Sequence, residues 1–396
     1  MKHDRIGKEF VLLLVMISIV IGFPKIKCMQ WLPSAVFAVL LGMFVSILAG
    51  QTVVFETEMF LYLGLPPILF HSSLKFKYES LRRTWLSSVT FSWCITLMSV
   101  VLIAWGILVW TCDTPNAMSL TEALLLASVL APTDTVATLS LIHSLTKNDI
   151  SQDSRMVLDV LENESVMNDA ISIVLVHLWA SASDTHQKLD RWVPMEVISL
   201  SFVYSVAAVV VGYISARIMN RIRINDMTFH YLAALMVYAV CECVDISGIL
   251  GLFVYGSVLK CPKEVENAVG SLALMIESSV YLFLGLSLYS YDPKYMGTSL
   301  LILLSCISAR VIVVFLVGSL LRCCGRKYWS VRTLLFFSMC GVRGAISFAL
   351  SQNLNQNFSM ETTFVVIITT MIILGSLQKC MYTLLLTNDD IHLIVY

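Results

Sequence analysis

The stretch Arg155-Met-Val-Leu-Asp159-Val-Leu-Glu162-Asn163-Glu164-Ser165-Val-Met-Asn168-Asp169-Ala-Ile-Ser172 runs on into wholly apolar sequence through Val176. As a helix rising ~1.5 Å per residue, it carries Asp169 roughly 20 Å from Arg155. That places the carboxylate near the middle of a ~30 Å hydrocarbon layer. An acid at that depth is expensive, and its presence points to function. Glu164 and Asn168, four residues apart, share a face, with Asp169 one step round from it. The helix therefore turns two acids and an amide toward one sector of a bundle.

The remaining sequence shows that the solvent is lipid. Of 396 residues, 58% are hydrophobic and 13% charged, about half the ~25% charged share of soluble domains. The first apolar run, Phe10 to Phe23, follows a short basic start. No small-x-small cleavage site follows it, so it is taken as a span. The 11 cysteines lie mostly inside apolar segments, with only Cys323 and Cys324 adjacent, which argues against a disulfide framework or a zinc site. A net charge of −1 gives no sign of a nucleic-acid partner.

Hydropathy and polar punctuation place thirteen segments near 9–23, 31–50, 56–74, 84–110, 119–143, 154–180, 195–219, 227–244, 246–260, 268–290, 297–322, 330–352 and 360–387. An all-α membrane protein of about 13 transmembrane helices is expected, as one transmembrane domain over 1–396 with no soluble tail domain. Lysine and arginine number 17 on the N-terminal-odd loops, as at Arg82, Arg83, Arg221 and Arg326, and 6 on the others, as at Lys188, Arg191 and Lys294. Such a bias puts the odd loops and the C-terminus in the cytoplasm. Merging the eighth and ninth segments would throw Arg322 to Arg332 outside, so the charges favour thirteen.

Two segments are interrupted. Pro132 in Ala131-Pro132-Thr133-Asp134-Thr135 disrupts the helical ladder and frees carbonyls beside a carboxylate and two hydroxyls, the oxygen-rich surroundings a small hard cation needs. Gly341-Val342-Arg343-Gly344 is the matching interruption, read as flexible glycines around a mid-depth arginine. They fall in the fifth of the first six segments and the fifth of the last six. Two inverted six-helix repeats with two broken crossing helices follow: repeat one about 9–180, a linker helix about 195–219 and repeat two about 227–387. A lone proline in a span is usually a kink, and a lone Asn or Ser usually packing glue. The combination weighs more, because Asp134, Glu164, Asp169, Glu277, Arg310 and Arg343 all fall near mid-depth, more charges than structural pairing requires. Glu164 and Arg310 are expected to pair.

At these residues the chain resembles the Na⁺/H⁺ exchanger family, the electroneutral branch of the monovalent cation/proton antiporters. The resemblance rests on Leu65-Pro66-Pro67-Ile68-Leu69-Phe70, Thr133-Asp134, Glu164-Ser165-Val166-Met167-Asn168-Asp169, Glu277 to Gly285, Ala309-Arg310 and Gly341 to Phe348, in consistent order over almost the whole chain. It implies Asp169 as the exchanging carboxylate and Asn168 as its partner in an Asn-Asp pair giving one-for-one exchange. Thr133 and Asp134 would be the unwound contribution, with Asp169 and Asp134 as ligands of the metal cation. Glu164 with Arg310 and the glycine-flanked Arg343 would be structural or coupling charges, alongside Glu277. It also implies a core domain of crossing helices moving against a dimerisation domain, hence a homodimer. The sequence departs from the family at Thr135, where proline is usual, at Asn163, where glycine is usual, and at His71, where an acid is usual. His71, near Lys75 and Lys77, is the candidate for pH modulation.

The expected activity is antiport of Na⁺ (or K⁺) for H⁺, regulating pH and cation content at the plasma membrane or an organelle membrane. The partners are then a monovalent cation, a proton and the lipid bilayer. No Walker-type Gly-x-x-x-x-Gly-Lys loop is present, and no cofactor is expected. The alternatives are a cation channel or a transport-inactive relative on the same fold. An intramembrane hydrolase is disfavoured because His-Glu-x-x-His and a Ser/His/Asp order are missing.

Overall fold

The computed structural model describes residues 15–22, 34–49, 60–75, 78–112, 114, 117–134, 152–184, 193–222, 226–244, 246–287, 293–323, 329–352, 354 and 357–377. Among these, every element is helical: α1 (15–22), α2 (Ser34–Ala49), α3 (Leu65–Lys75, entered through a π-turn at Phe60–Gly64), α4 (Tyr78–Thr111), α5 (Leu120–Leu130), α6 (Gln152–Asp184), α7 (Val193–Ile222), α8 (Met227–Cys243), α9 (Gly248–Val258), α10 (Lys263–Leu286), α11 (Met296–Cys323), α12 (Val331–Met339), α13 (Ala345–Ser351) and α14 (Asn357–Thr370, running into a π-turn at Met371–Gly375). All thirteen expected segments contain helix. By length and apolarity alone, Thr90–Thr111, Lys263–Leu286, Met296–Cys323 and Phe358–Gly375 suffice to cross a membrane. Helices α4, α6 and α7 extend past their apolar windows at both ends.

Local chemistry sets the punctuation. The eighth and ninth segments are separate helices because Ser247 caps the N-terminus of α9 and the Glu242 carboxylate accepts the Gly248 N–H at 2.9 Å. Both interrupted segments open on a serine cap. Ser119 forms a capping box with Glu122 before α5, and the Ser330 hydroxyl accepts from the Thr333 N–H at 3.2 Å before α12. Helix α5 then stops at Leu130, ahead of Pro132, and α12 stops at Met339 before the chain resumes as α13. Residues 135–151, which hold Thr135 and the second half of the fifth segment, lie outside the described residues.

The helices pack as two groups. In one, α10 lies against α2, α3 and α8, while α9 lies against α3, α7 and α8. In the other, α4 lies against α5, α6 and α11, while α14 lies against α5, α11 and α13. Among the described residues, the larger contacts between the groups are those of α6 with α3, α7 and α9, of α10 with α13, and of α2 with the turn ending at Gly375. These pairings survive exchange of segments one to six for eight to thirteen: α2–α10 becomes α9–α3, α4–α6 becomes α11–α14, and α4–α11 maps on itself. Seven crossings separate equivalent segments, an odd number, so the two repeats run in opposite senses.

Small residues permit the closest approach. A Cβ on Gly285 would collide with the Val39 carbonyl and lie 2.9 Å from the Gly42 Cα, so α2 and α10 meet backbone to backbone. Gly285→Ala is therefore expected to cost about 1–3 kcal/mol through overpacking. It should lower the thermal midpoint measured by temperature-stepped size-exclusion. An unchanged midpoint would show that the two helices part without cost.

Candidate functional site

The two breaks meet. The Asp134 N–H donates to the Val342 carbonyl at 2.7 Å, joining the unwound 131–134 to the unwound 340–344 by a main-chain bond. Buried Arg343 donates through Nη1 to the Ala131 carbonyl at 2.5 Å and the Pro132 carbonyl at 3.3 Å. Those are the orphan carbonyls at the C-terminal, negative end of α5, so the guanidinium satisfies the break and balances its dipole together. Its own amide reaches the Thr370 hydroxyl at 3.3 Å, and its side chain shares a hydrogen bond with Cys306. Gly344 has an extended backbone, φ −125° and ψ −164°, so a special torsion is not what calls for glycine. The constraint is space, because a Cβ there would run into the Asp134 side chain.

Asn168 is fixed from several sides. Its Nδ2 donates to the Ala131 carbonyl at 3.2 Å and to the Thr133 hydroxyl at 3.0 Å. A carbonyl can only accept, so the amide orientation follows, with Oδ1 facing the Thr96 hydroxyl at 2.7 Å. That hydroxyl also lies 2.6 Å from the Ser92 carbonyl and shares its single proton between the two. One turn earlier on α6, Ser165 Oγ donates to the Thr133 carbonyl at 2.8 Å. Helix α6 is thereby bonded along 131–133, and Asp169 stands beside the crossing with its side chain half-buried. Asp134, Glu164 and Glu277 are the carboxylates close enough to bear on its charge.

Two further groups complete the constellation. Arg310 holds Glu164 in a two-pronged ion pair, Nη1 to Oε1 at 2.7 Å and Nη2 to Oε2 at 3.2 Å, with both side chains buried. Its guanidinium lies 5.5 Å from the Phe337 ring centroid, and Phe337 belongs to an aromatic cluster with Phe91 and Trp329. From the other helix group, Tyr281 on α10 donates its phenolic proton to Asp134 Oδ2. Glu277 lies one turn earlier on the same helix, half-buried.

The structure therefore brings Thr133, Asp134, Asn168, Asp169, Glu164, Arg310, Arg343 and Glu277 into one neighbourhood. His71 does not join it. Its ring packs against Gly270 of α10, where a Cβ would come within 2.6 Å of Nε2. Asn163, at the position where the family usually has glycine, is buried and donates to the Ser88 hydroxyl at 3.1 Å. Thr96, Tyr281, Thr370 and Cys306 were not singled out from sequence. Their partners are far away in the chain, and hydroxyls and thiols in an apolar run carry no signal of direction. Among the described residues no group of three or more His, Cys, Asp and Glu side chains is placed to hold a metal ion. A bound cation would have to draw on Asp169, Asp134 and the main-chain oxygens freed by the break.

Comparison with known proteins identifies the family and the fold. The family described as "Sodium/hydrogen exchanger, transmembrane" matches residues 11–384. Sodium/hydrogen exchanger 8 of Gallus gallus is 24% identical over 381 residues, covering 87% of this chain and 65% of that protein. The Homo sapiens protein of the same name is 24% identical over 413 residues, 92% of this chain and 69% of its own length. The chain thus spans about two thirds of the length of these relatives. The sodium proton antiporter MjNhaP1 from Methanocaldococcus jannaschii has the same fold, with a TM-score of 0.76 at 20% identity over 98% of this chain and 99% of that one.

The Glu164–Arg310 pair generates a stability test. Removing either partner leaves a buried charge uncompensated, at about 3–5 kcal/mol. Glu164→Ala and Arg310→Ala are each expected to lower thermal stability by such an amount. The double substitution should cost clearly less than the sum of the two. Additive losses in that cycle would dissolve the pair as an energetic unit.

Proposed function

Because the chain belongs to the sodium/hydrogen exchanger family, a family of transmembrane transporters, we propose that it exchanges Na⁺ (or K⁺) for H⁺ across a membrane through Asp169. The observation that carries the reading is the pairing of a half-buried acid with a rigidly bonded amide at the crossing of two broken helices. Asp169 holds either a proton or a cation, and the surrounding acids and low dielectric make the bare carboxylate costly. Occupancy by one excludes the other, and that exclusion couples the two fluxes. Asp134 and the carbonyls at 131–133 supply further oxygens for the cation.

Asn168 stands where a second acid would bring a second proton, and its three hydrogen-bonding neighbours, the Ala131 carbonyl and the Thr133 and Thr96 hydroxyls, are all met by a neutral amide. That supports electroneutral, one-for-one exchange. Glu164 with Arg310 and Arg343 keep the crossing assembled, and Glu277 adds to the field at the site. The division into repeat one (about 9–180), a linker helix (about 195–219) and repeat two (about 227–387) supports movement of the crossing-helix group against the other. The 17 to 6 excess of basic residues on one set of loops supports a cytoplasmic C-terminus. Two copies would join through the group that does not carry the crossing. The cation gradient and the proton gradient supply all the free energy, so the exchanger requires no cofactor.

In proteoliposomes, Asp169→Asn is expected to abolish cation-driven proton flux while leaving a monodisperse protein in detergent. Exchange retained at more than a small fraction of wild type would remove Asp169 from the central role. Asn168→Asp should leave flux measurable and render it sensitive to an imposed membrane potential. Insensitivity to potential in that variant would mean that Asn168 does not set the stoichiometry.

A further inference from the structure

Where α10 faces the crossing, a polar contact joins the two helix groups. Tyr281 projects from α10, in the group built on α2, α3, α8 and α9, and its phenol donates to Asp134 Oδ2, in the unwound segment of the other group. The nearby Ser278 hydroxyl, by contrast, turns back to its own helix, donating to the Leu274 carbonyl at 2.7 Å. Asp134 is at the same time held by its N–H to Val342 and abutted by Gly344. The phenol therefore bonds not to a loose side chain but to the point where both broken helices are fastened. Helix α13, which starts at that point, is the element of the crossing group that packs on α10.

From this geometry we infer that Tyr281 is a positioning residue that latches the two helix groups in the access state seen here, and that its hydrogen bond to Asp134 breaks whenever the groups slide. A hydrogen bond to a carboxylate, shielded from water, is among the stronger single contacts a seam can hold. It is also made or lost as a unit, because a displacement of α10 by a few ångströms takes the phenol beyond bonding distance. A latch of this kind biases the equilibrium between the two access states without touching the transported ion. The inference rests on the exchange reading above, because it presumes that the two groups move.

Tyr281→Phe keeps the ring and removes only the proton donor. If the phenol latches one access state, that state loses population about tenfold or more on the worth of one charge-assisted bond. Apparent KM for the cation, measured separately at the two membrane faces of oriented proteoliposomes, should then move in opposite directions. A side chain that merely lined the ion site would move both the same way, and one that merely packed would move neither. Either of those results overturns the latch. Ser278→Ala, on the same helix but not crossing the seam, serves as the control and should leave both values unchanged. Hydrogen–deuterium exchange supplies a readout independent of transport: peptides covering Ala345–Ser351 should exchange faster in Tyr281→Phe than in wild type. Unaltered protection there refutes the latch even if the variant does not exchange ions. Wild-type protein that shows the protection difference but no cation-driven proton flux would refute the exchange reading and leave the contact standing.

Discussion

Everything near the site depends on one requirement: in a medium without water, every carbonyl freed by breaking a helix must find a donor inside the protein. Helix α5 ends at Leu130 and leaves the carbonyls of Ala131, Pro132 and Thr133 without intrahelical partners. They are met by the Arg343 guanidinium, the Asn168 amide and the Ser165 hydroxyl. Each donor comes from a different break or a different helix, so the break in one repeat is closed by the break in the other and by α6. A buried arginine, costly alone, is here affordable because it finds its acceptors in carbonyls that would otherwise be orphaned. The same bonds that satisfy the backbone hold Asn168, and thereby Asp169 beside it.

A great deal of this was written in the sequence, for identifiable reasons. Span positions follow from apolar length, and both interruptions were marked by residues whose backbone chemistry is special, Pro132 and the glycines around Arg343. The pairings were less accessible. Thr96 meets Asn168 across 72 residues, Tyr281 meets Asp134 across 147, and Arg343 meets Ala131 across 212. One sequence carries no information on which hydroxyl faces which helix. Gly344 illustrates a right residue with a wrong reason: flexibility was expected, whereas its torsions are ordinary and the constraint is the Asp134 side chain packed on its Cα. His71 stood out by departing from a familiar motif, yet its environment is set by Gly270, a residue with no motif to announce it.

The packing gives the site its mechanical setting. Helices α4, α5, α6 and α11 to α14 form one group, and α2, α3 and α7 to α10 the other. Within each group the contacts are extensive and apolar, and include the stack of Phe91 on Trp329 at 4.3 Å. Interiors of that density move as units rather than deform. The seam between groups is where displacement is cheap, and the crossing lies along it, with Asp134 bonded across to Tyr281. The bonds that hold the crossing lie mostly within one group, and the Tyr281–Asp134 hydrogen bond reaches it from the other.

The charges at the crossing explain why such a site binds at all. Three carboxylates, Asp134, Glu164 and Glu277, lie near enough to Asp169 to raise the cost of its charge, with Arg310 and Arg343 also at the crossing. Glu164 and Arg310 neutralise each other by a two-pronged bond. Arg343 spends its hydrogen bonds on carbonyls, so it offsets negative charge by proximity but caps no carboxylate. Asp134 has a phenol donor, which delocalises its charge without cancelling it. What is left is an excess of negative charge around the half-buried Asp169, where solvent screens it less than in bulk water. One positive charge, on a proton or on a metal cation, relieves part of that excess. On the exchange reading, a proton and a metal cation compete for that one carboxylate, and the competition is what couples their movements.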